Sequence, residues 1–177
     1  FFLDDMLSPW QIFGPDWGNK WAATLGLQFF GMVSGRDLTA GIEYSRVEPW
    51  VYTHVTGGCS QYSHFGQSLG SPLGPNSQAL DMRADLGLTP RHAIGIGLHT
   101  TAGNPEKRGG RITDVFQDST DSPVKRFLGP GTRWHVAPEV RYEFNRFGIF
   151  SATILYRLDL ADDRGRSAFR AFGGLVF

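Results

Sequence analysis

The stretch from Ser77 to Thr89 reads SQALDMRADLGLT and decides the fold, because apolar and polar side chains alternate along it. Its apolar positions are Leu80, Met82, Ala84, Leu86 and Leu88. Charged residues occupy positions between them, as in the run from Asp81 to Asp85. Because successive side chains of a strand point to opposite faces, a period of two indicates a strand with one apolar and one polar face.

The same period recurs elsewhere in the chain. The segments Thr132–Asn145 and Phe150–Leu160 alternate apolar residues with charged or hydroxyl-bearing ones. Three other segments, Trp21–Val33, Leu38–Tyr44 and Ile94–Leu98, carry mainly small residues on the second face. We therefore predict an all-β, antiparallel fold with about eight strands in this chain.

Strand length separates the two architectures that this pattern allows. Strands of soluble sheets have about 5–6 residues, whereas tilted strands that cross a bilayer need about 9–11. Most segments here have the longer length, so the sequence favours a transmembrane β-barrel of the bacterial outer membrane, with its apolar face toward lipid. Opposite charges follow one another on the second face, where they can pair. We predict a polar network in the lumen made by Glu43, Asp81, Arg83, Asp85, Glu139, Arg141, Glu143, Arg157, Asp159 and Arg170.

Short and long connections are expected to alternate, as they do in outer-membrane barrels. Tight turns are predicted at Ser34–Asp37, Thr89–His92 and Asn145–Gly148, and longer loops at 53–76, 102–131 and 161–166. The last strand alternates up to Phe177, which is similar to the terminal signal of outer-membrane proteins. Residues 1–6 form at best a short strand, so we expect residues 1–177 to be the C-terminal portion of a larger barrel.

Composition excludes several other classes of protein. The chain has 177 residues with 17 Lys+Arg and 17 Asp+Glu, and this zero net charge argues against a nucleic-acid partner. Its single cysteine, Cys59, excludes an intrachain disulfide framework. The most apolar run, Trp21–Val33, is shorter than the roughly 20 residues of a transmembrane helix.

The segment Glu43–His54 reads EYSRVEPWVYTH and precedes YSHFGQSLG at Tyr62–Gly70 and GPNS at Gly74–Ser77. In this order the segments resemble the Wzi-type capsule-assembly family of outer-membrane β-barrels. The resemblance implies a lectin-like, non-catalytic protein that binds or attaches capsular polysaccharide, with no cofactor. Its partners would be outer-membrane lipid and lipopolysaccharide, surface polysaccharide and other membrane proteins.

Sugar recognition requires flat aromatic faces beside planar hydrogen-bonding groups. The family-like segments offer both kinds of side chain. The candidate polysaccharide ligands are Trp50, Tyr52, His54, Tyr62, His64, Gln67 and Asn76. A structural interpretation competes with this one, in which Trp50 and Tyr52 lie at the membrane interface and Gln67 and Asn76 fix turns.

Other functions stay open as alternatives. A passive pore would use the same polar lumen, and a hydrolase would use Ser151, His135 and Glu139, although no G-x-S-x-G elbow is present. Zinc or copper could be held by His54, Cys59 and His64, but we predict no metal site because Gly57-Gly58 lies between the first two.

Overall fold

A computed structural model describes residues 1–6, 8–53, 63–64, 67–116, 123–145, 151–161 and 167–176. The predicted all-β class and antiparallel pairing are confirmed. One sheet of eight strands has the order β1-β2-β3-β6-β7-β8-β9-β10, and β4 and β5 form a separate pair. The strands are β1 (Phe2–Asp5), β2 (Lys20–Val33), β3 (Arg36–Val47), β4 (Ser63–His64), β5 (Gln67–Ser68), β6 (Ser77–Thr89), β7 (His92–Gly103), β8 (Arg133–Asn145), β9 (Ser151–Ala161) and β10 (Ser167–Val176).

The strand positions predicted from the alternation of apolar and polar residues agree closely with the observed ones. Strand β6 has the predicted bounds, β2 and β8 differ from the prediction by one residue at one end, and β9 differs by one residue at each end. Strands β3 and β7 are longer than predicted, with 12 residues each, because the ladder continues at both ends beyond the clearly alternating part. A short 3-10 helix at Pro9–Gln11 was not predicted.

Two of the predicted tight turns are confirmed. Between β2 and β3, Ser34 and Gly35 have φ values of 52° and 74°. Positive φ at both central residues suits a two-residue hairpin, because it matches the twist of the paired strands. Strands β6 and β7 are joined by Pro90 and Arg91 alone.

The remaining connections follow the prediction only in part. Long connections join β3 to β6 and β7 to β8, as expected. Residues 146–150 and 162–166 join the last three strands, and each of these connections has five residues. The predicted contrast between short and long connections is therefore wrong for this end of the sheet. The predicted turn at Asn145–Gly148 lies mostly outside the described residues, as does Phe177.

The chain divides into two compact units. Unit 1 comprises residues 1–24, 45–79 and 102–133, and unit 2 comprises residues 25–44, 80–101 and 134–177. Unit 1 has a small apolar core of Ala22, Val47, Val51 and Tyr52, against which Phe2, Leu73 and Ile112 pack. Unit 2 consists of the remaining lengths of the long strands with their tight turns.

Candidate functional site

Residues 48–53, which belong to the Wzi-like motif, are all buried and are fixed by hydrogen bonds within unit 1. Trp50 and Tyr52 have φ values of 69° and 66° and are only 4% and 3% exposed. The Trp50 amide donates to the Gly109 carbonyl at 2.8 Å, and the Thr53 hydroxyl donates to the Trp50 carbonyl at 2.6 Å. A β-carbon on Gly109 would lie 2.6 Å from the Trp50 ring, so only glycine allows this contact.

Tyr52 is held in the same way by other segments. Its amide donates to Asp4 Oδ2 at 2.8 Å, and its hydroxyl accepts from the Ser71 amide at 3.1 Å. Its ring centroid lies 5.2 Å from that of Phe2 and its ring covers Gly70. In this structure neither Tyr52 nor Trp50 offers a ring face to a ligand, and buried rings cannot form a belt at the membrane interface. Ligand binding by these two residues stays a prediction.

Asn76 joins two long loops. Its side chain is completely buried, accepts from the Leu128 amide at 2.6 Å and donates to the Asn104 carbonyl at 3.3 Å. Asn104 in turn donates to the Pro130 carbonyl at 2.9 Å. Asn76 also has φ of 52°, a conformation that asparagine adopts more readily than most residues. These contacts favour the structural interpretation of Asn76 over direct ligand contact.

The other predicted ligands are described less fully. His54 and Tyr62 lie outside the described residues, as does Cys59. His64 and Gln67 are directly opposite each other in the β4–β5 pair. The hairpin therefore brings these two predicted ligands together at the level of the backbone.

A buried ion-pair cluster lies beside this segment, and sequence reasoning missed it. Lys125 Nζ is 3.0 Å from Glu48 Oε2, and these side chains are 4% and 5% exposed. Arg46 Nη2 is 2.6 Å from the other oxygen of the same carboxylate. Burial lowers the pKa of Lys125, while the hydrogen bond and charge of Glu48 raise it. One carboxylate thus serves two cations, and the charge of Asp16 also acts on Lys125.

Aromatic rings surround the cluster and form what we call the aromatic cleft. Phe13 and Trp21 meet edge to face with centroids 5.3 Å apart. The Arg46 guanidinium carbon lies 5.6 Å from the Trp21 centroid and 3.8 Å from that of Phe127. The aromatic cleft has a volume of about 350 Å3.

Exposed aromatic residues extend the aromatic cleft on the surface of unit 1. Phe13 and Phe1 are 73% and 72% exposed, and Phe1 stacks on Trp21 with centroids 6.2 Å apart. Trp10, in the short 3-10 helix, is 94% exposed. Flat apolar rings beside charged hydrogen-bonding groups are the combination that sugar recognition requires. No sequence motif marked these residues, because they come from separate segments whose proximity depends on the fold.

The polar face of unit 2 carries the predicted network. Arg83 Nε is 2.6 Å from Asp85 Oδ2, Arg141 also contacts Asp85, and Arg141 Nη1 is 3.2 Å from Glu143 Oε1. A β-carbon on Gly95 would overlap Asp85, so this glycine makes room for the network. A groove of about 750 Å3 follows this face. It is lined by Glu43, Asp81, Arg83, His99 and Glu139.

The last three predicted network residues are placed by backbone register. Glu139 is directly opposite Arg157, an arrangement that brings opposite charges to neighbouring positions of one face. Arg157 is also opposite Arg170, and Asp159 is opposite Ala168. The backbone register thus places Arg157 opposite Glu139 on one neighbouring strand and opposite Arg170 on the other.

The candidate hydrolase residues are not brought together. Ser151 is opposite Asn145, whereas His135 is opposite Ala161. Ten residues of strand β8 therefore separate the two sites, which corresponds to about 33 Å at the usual rise of a strand. A direct hydrogen bond between Ser151 and His135 needs about 3 Å, so this pair cannot act as nucleophile and base in this arrangement.

The described residues contain neither a group of metal ligands nor a membrane-spanning helix. Among them, no group of at least three His, Cys, Asp or Glu side chains is arranged to hold a metal ion. Over the same parts of the chain, no helix has the length and apolar character needed to cross a bilayer.

Comparisons with known proteins give no assignment. The sequence matches no protein-family model, and searches among curated proteins and solved structures also find no match. The resemblance to Wzi-type proteins therefore depends on the motif residues alone.

Proposed function

We propose that this chain is part of a bacterial outer-membrane β-barrel that binds surface polysaccharide and catalyses no reaction. The observation that carries the proposal is the aromatic cleft of unit 1, where exposed rings lie beside a buried cluster of charges. The barrel, including closure of its sheet with further strands, is part of the same proposal.

The membrane part of the proposal is supported by one face of the long strands. Large apolar side chains are exposed on unit 2, and most of them alternate with polar or small residues along their strands. A contiguous apolar surface of this kind is unfavourable in water and suits contact with hydrocarbon. Examples are Leu25, Leu27, Phe29, Ile42, Met82, Ile96 and Val140.

The binding part of the proposal is supported by the chemistry of the cleft. The rings of Phe13 and Trp21 offer apolar faces to the carbon–hydrogen side of a sugar. Arg46 and Lys125 offer donors to hydroxyl or acidic groups, although Glu48 already accepts from both. The predicted ligands His54, Tyr62, His64 and Gln67 belong to the loop that follows this segment and stay part of the binding proposal.

The experiment measures binding of purified surface polysaccharide to the detergent-solubilised protein. Phe13→Ala removes an exposed ring of the aromatic cleft and should weaken binding by about two- to twelvefold, since stacking on one ring contributes about 0.5–1.5 kcal/mol. The control, Phe30→Ala, removes a ring that is exposed to a similar extent, 69% against 73%, from a strand of unit 2. Equal binding by Phe13→Ala and the unchanged protein would contradict the proposed site.

A passive pore is the second candidate, because the charged groove of unit 2 has the chemistry of a channel lining. Conductance of the protein in planar bilayers tests this function. Ion current that changes its selectivity in Glu139→Gln, together with no polysaccharide binding, would favour the pore over the proposed function.

A further inference from the structure

A second cavity of unit 1, which we call the cationic pocket, has a volume of about 550 Å3. Lys107, Arg126 and Glu106 line it, together with Phe127 and the backbone of residues 129–131. Among its described lining residues, Glu106 is the one carboxylate. Charge in the pocket therefore depends on whether Glu106 neutralises the two cations.

Glu106 is engaged with other residues. Its Oε1 lies 2.8 Å from Arg133 Nη2, and its Oε2 lies 3.5 Å from Arg111 Nη2. Glu106 is thus paired with two arginines outside the pocket lining, while the lining itself holds two cations, Lys107 and Arg126, and this one carboxylate. The pocket keeps an excess of positive charge.

Lys107 is fixed in position at the edge of the pocket. Its ammonium donates to the Arg126 carbonyl at 2.8 Å and to the Leu128 carbonyl at 3.1 Å. An ammonium has three donors, so one remains. Gly129 has φ of 93°, and a β-carbon there would lie 3.2 Å from Lys107 Nζ, so glycine allows the close approach.

The two cations of the pocket act on each other. Burial lowers the pKa of Lys107, and the positive charge of Arg126 lowers it further. Within the described residues, the Arg126 guanidinium has no ion pair with a carboxylate. An anion between these groups would relieve the repulsion and accept charge-assisted hydrogen bonds.

We propose that the cationic pocket binds an oxyanion of an acidic surface polysaccharide, a carboxylate or a phosphate, through Lys107 and Arg126. The inference depends on the proposed function for the source of the oxyanion only. Arg126 supplies the planar, paired donors that match either oxyanion, and Lys107 adds a point charge. The polysaccharide class is then acidic rather than neutral.

The experiment titrates the full chain in detergent at low salt with glucuronate, inorganic phosphate and glucose. Glucuronate or phosphate should bind more tightly than glucose, and Arg126→Gln should weaken that oxyanion about tenfold while leaving glucose unchanged. Arg36→Gln is the matched control, because it removes the same charge from the exposed first residue of β3. Lys107 is left intact because it also bridges backbone carbonyls.

The outcomes separate this inference from the proposed function. Oxyanion binding that depends on Arg126, without binding of any polysaccharide, supports the pocket and contradicts the proposed function. Binding of an acidic polysaccharide that Arg126→Gln leaves unchanged overturns the pocket and keeps the proposed function. Equal affinity of the unchanged protein for glucose and both oxyanions also overturns the pocket.

Discussion

Unit 1 and unit 2 differ in the kinds of side chain that they bury and expose. Unit 1 buries polar and charged side chains, including Asn19, Lys20, Glu48 and Asn76. Unit 2 exposes large apolar side chains, and Ala137 is its one buried apolar side chain among the described residues. The same strands thus pass from a region with buried polar side chains to a region with exposed apolar ones.

This difference indicates where each unit obtains its stability. Buried polar groups are costly unless each finds a partner, and the buried Lys20, Glu48 and Asn76 of unit 1 have backbone or ionic partners. The indole N–H of Trp21 is the exception among the described residues, because it is buried without a hydrogen-bond partner. The large apolar side chains of unit 2 are exposed, so burial within their own chain contributes little to its stability. Lipid is the covering that we propose.

The largest expected effect concerns the buried ion pairs of unit 1. Glu48→Ala leaves Lys125 and Arg46 without their carboxylate and should reduce the free energy of unfolding by about 3–5 kcal/mol, the usual cost of breaking a buried pair. Denaturant unfolding followed by tryptophan fluorescence measures it. Glu106→Ala is the control and should cost less than about 1 kcal/mol, because its side chain is 57% exposed. Equal losses would show that burial does not strengthen the Glu48 pairs.

The next effect concerns the exposed apolar side chains of unit 2. Leu27→Arg places a charge on a side chain position that is 71% exposed and should cost about 2–4 kcal/mol in a bilayer. Gln28→Arg, one position along the same strand, should cost little because it lies on the other face. Unfolding of both variants from lipid vesicles provides the comparison. In water an exposed substitution usually changes stability by less than about 0.5 kcal/mol, so two small and equal effects would contradict a lipid-facing surface.

The smallest effect concerns the hydrogen bonds of unit 1. Asn76→Ala removes the contacts with the Leu128 amide and the Asn104 carbonyl and should cost about 1–3 kcal/mol in thermal unfolding. Asn76→Gly loses the same contacts but tolerates the φ of 52°, so it should cost less. If Gly and Ala cost the same, backbone strain has no part in the effect.

The sequence predicted unit 2 better than unit 1. Alternation is local, so a run such as Ser77–Thr89 is enough to place a strand and its two faces. The surroundings of Trp50 and Tyr52 depend on Gly109 and Gly70, which come from other segments. Their burial could therefore not be seen in the motif itself.

The candidate site was missed for a related reason. Phe13, Trp21 and Lys125 belong to three segments without a shared motif, and only folding brings them around Glu48. The pairing of Glu48 with Lys125 spans most of unit 1 in sequence and has no local signature. Charge patterns along single strands, in contrast, indicated Arg83–Asp85 and Arg141–Glu143 directly.

The rings of Trp50 and Tyr52 each pack against a glycine, and this contact limits which substitutions evolution can accept. The ring of Trp50 occupies the space of a Gly109 side chain, and that of Tyr52 occupies the space of a Gly70 side chain. A homologue that replaces either glycine must also accommodate its partner ring, so each pair should change together. Covariation within each pair would then identify the same loop packing even among homologues that bind different ligands.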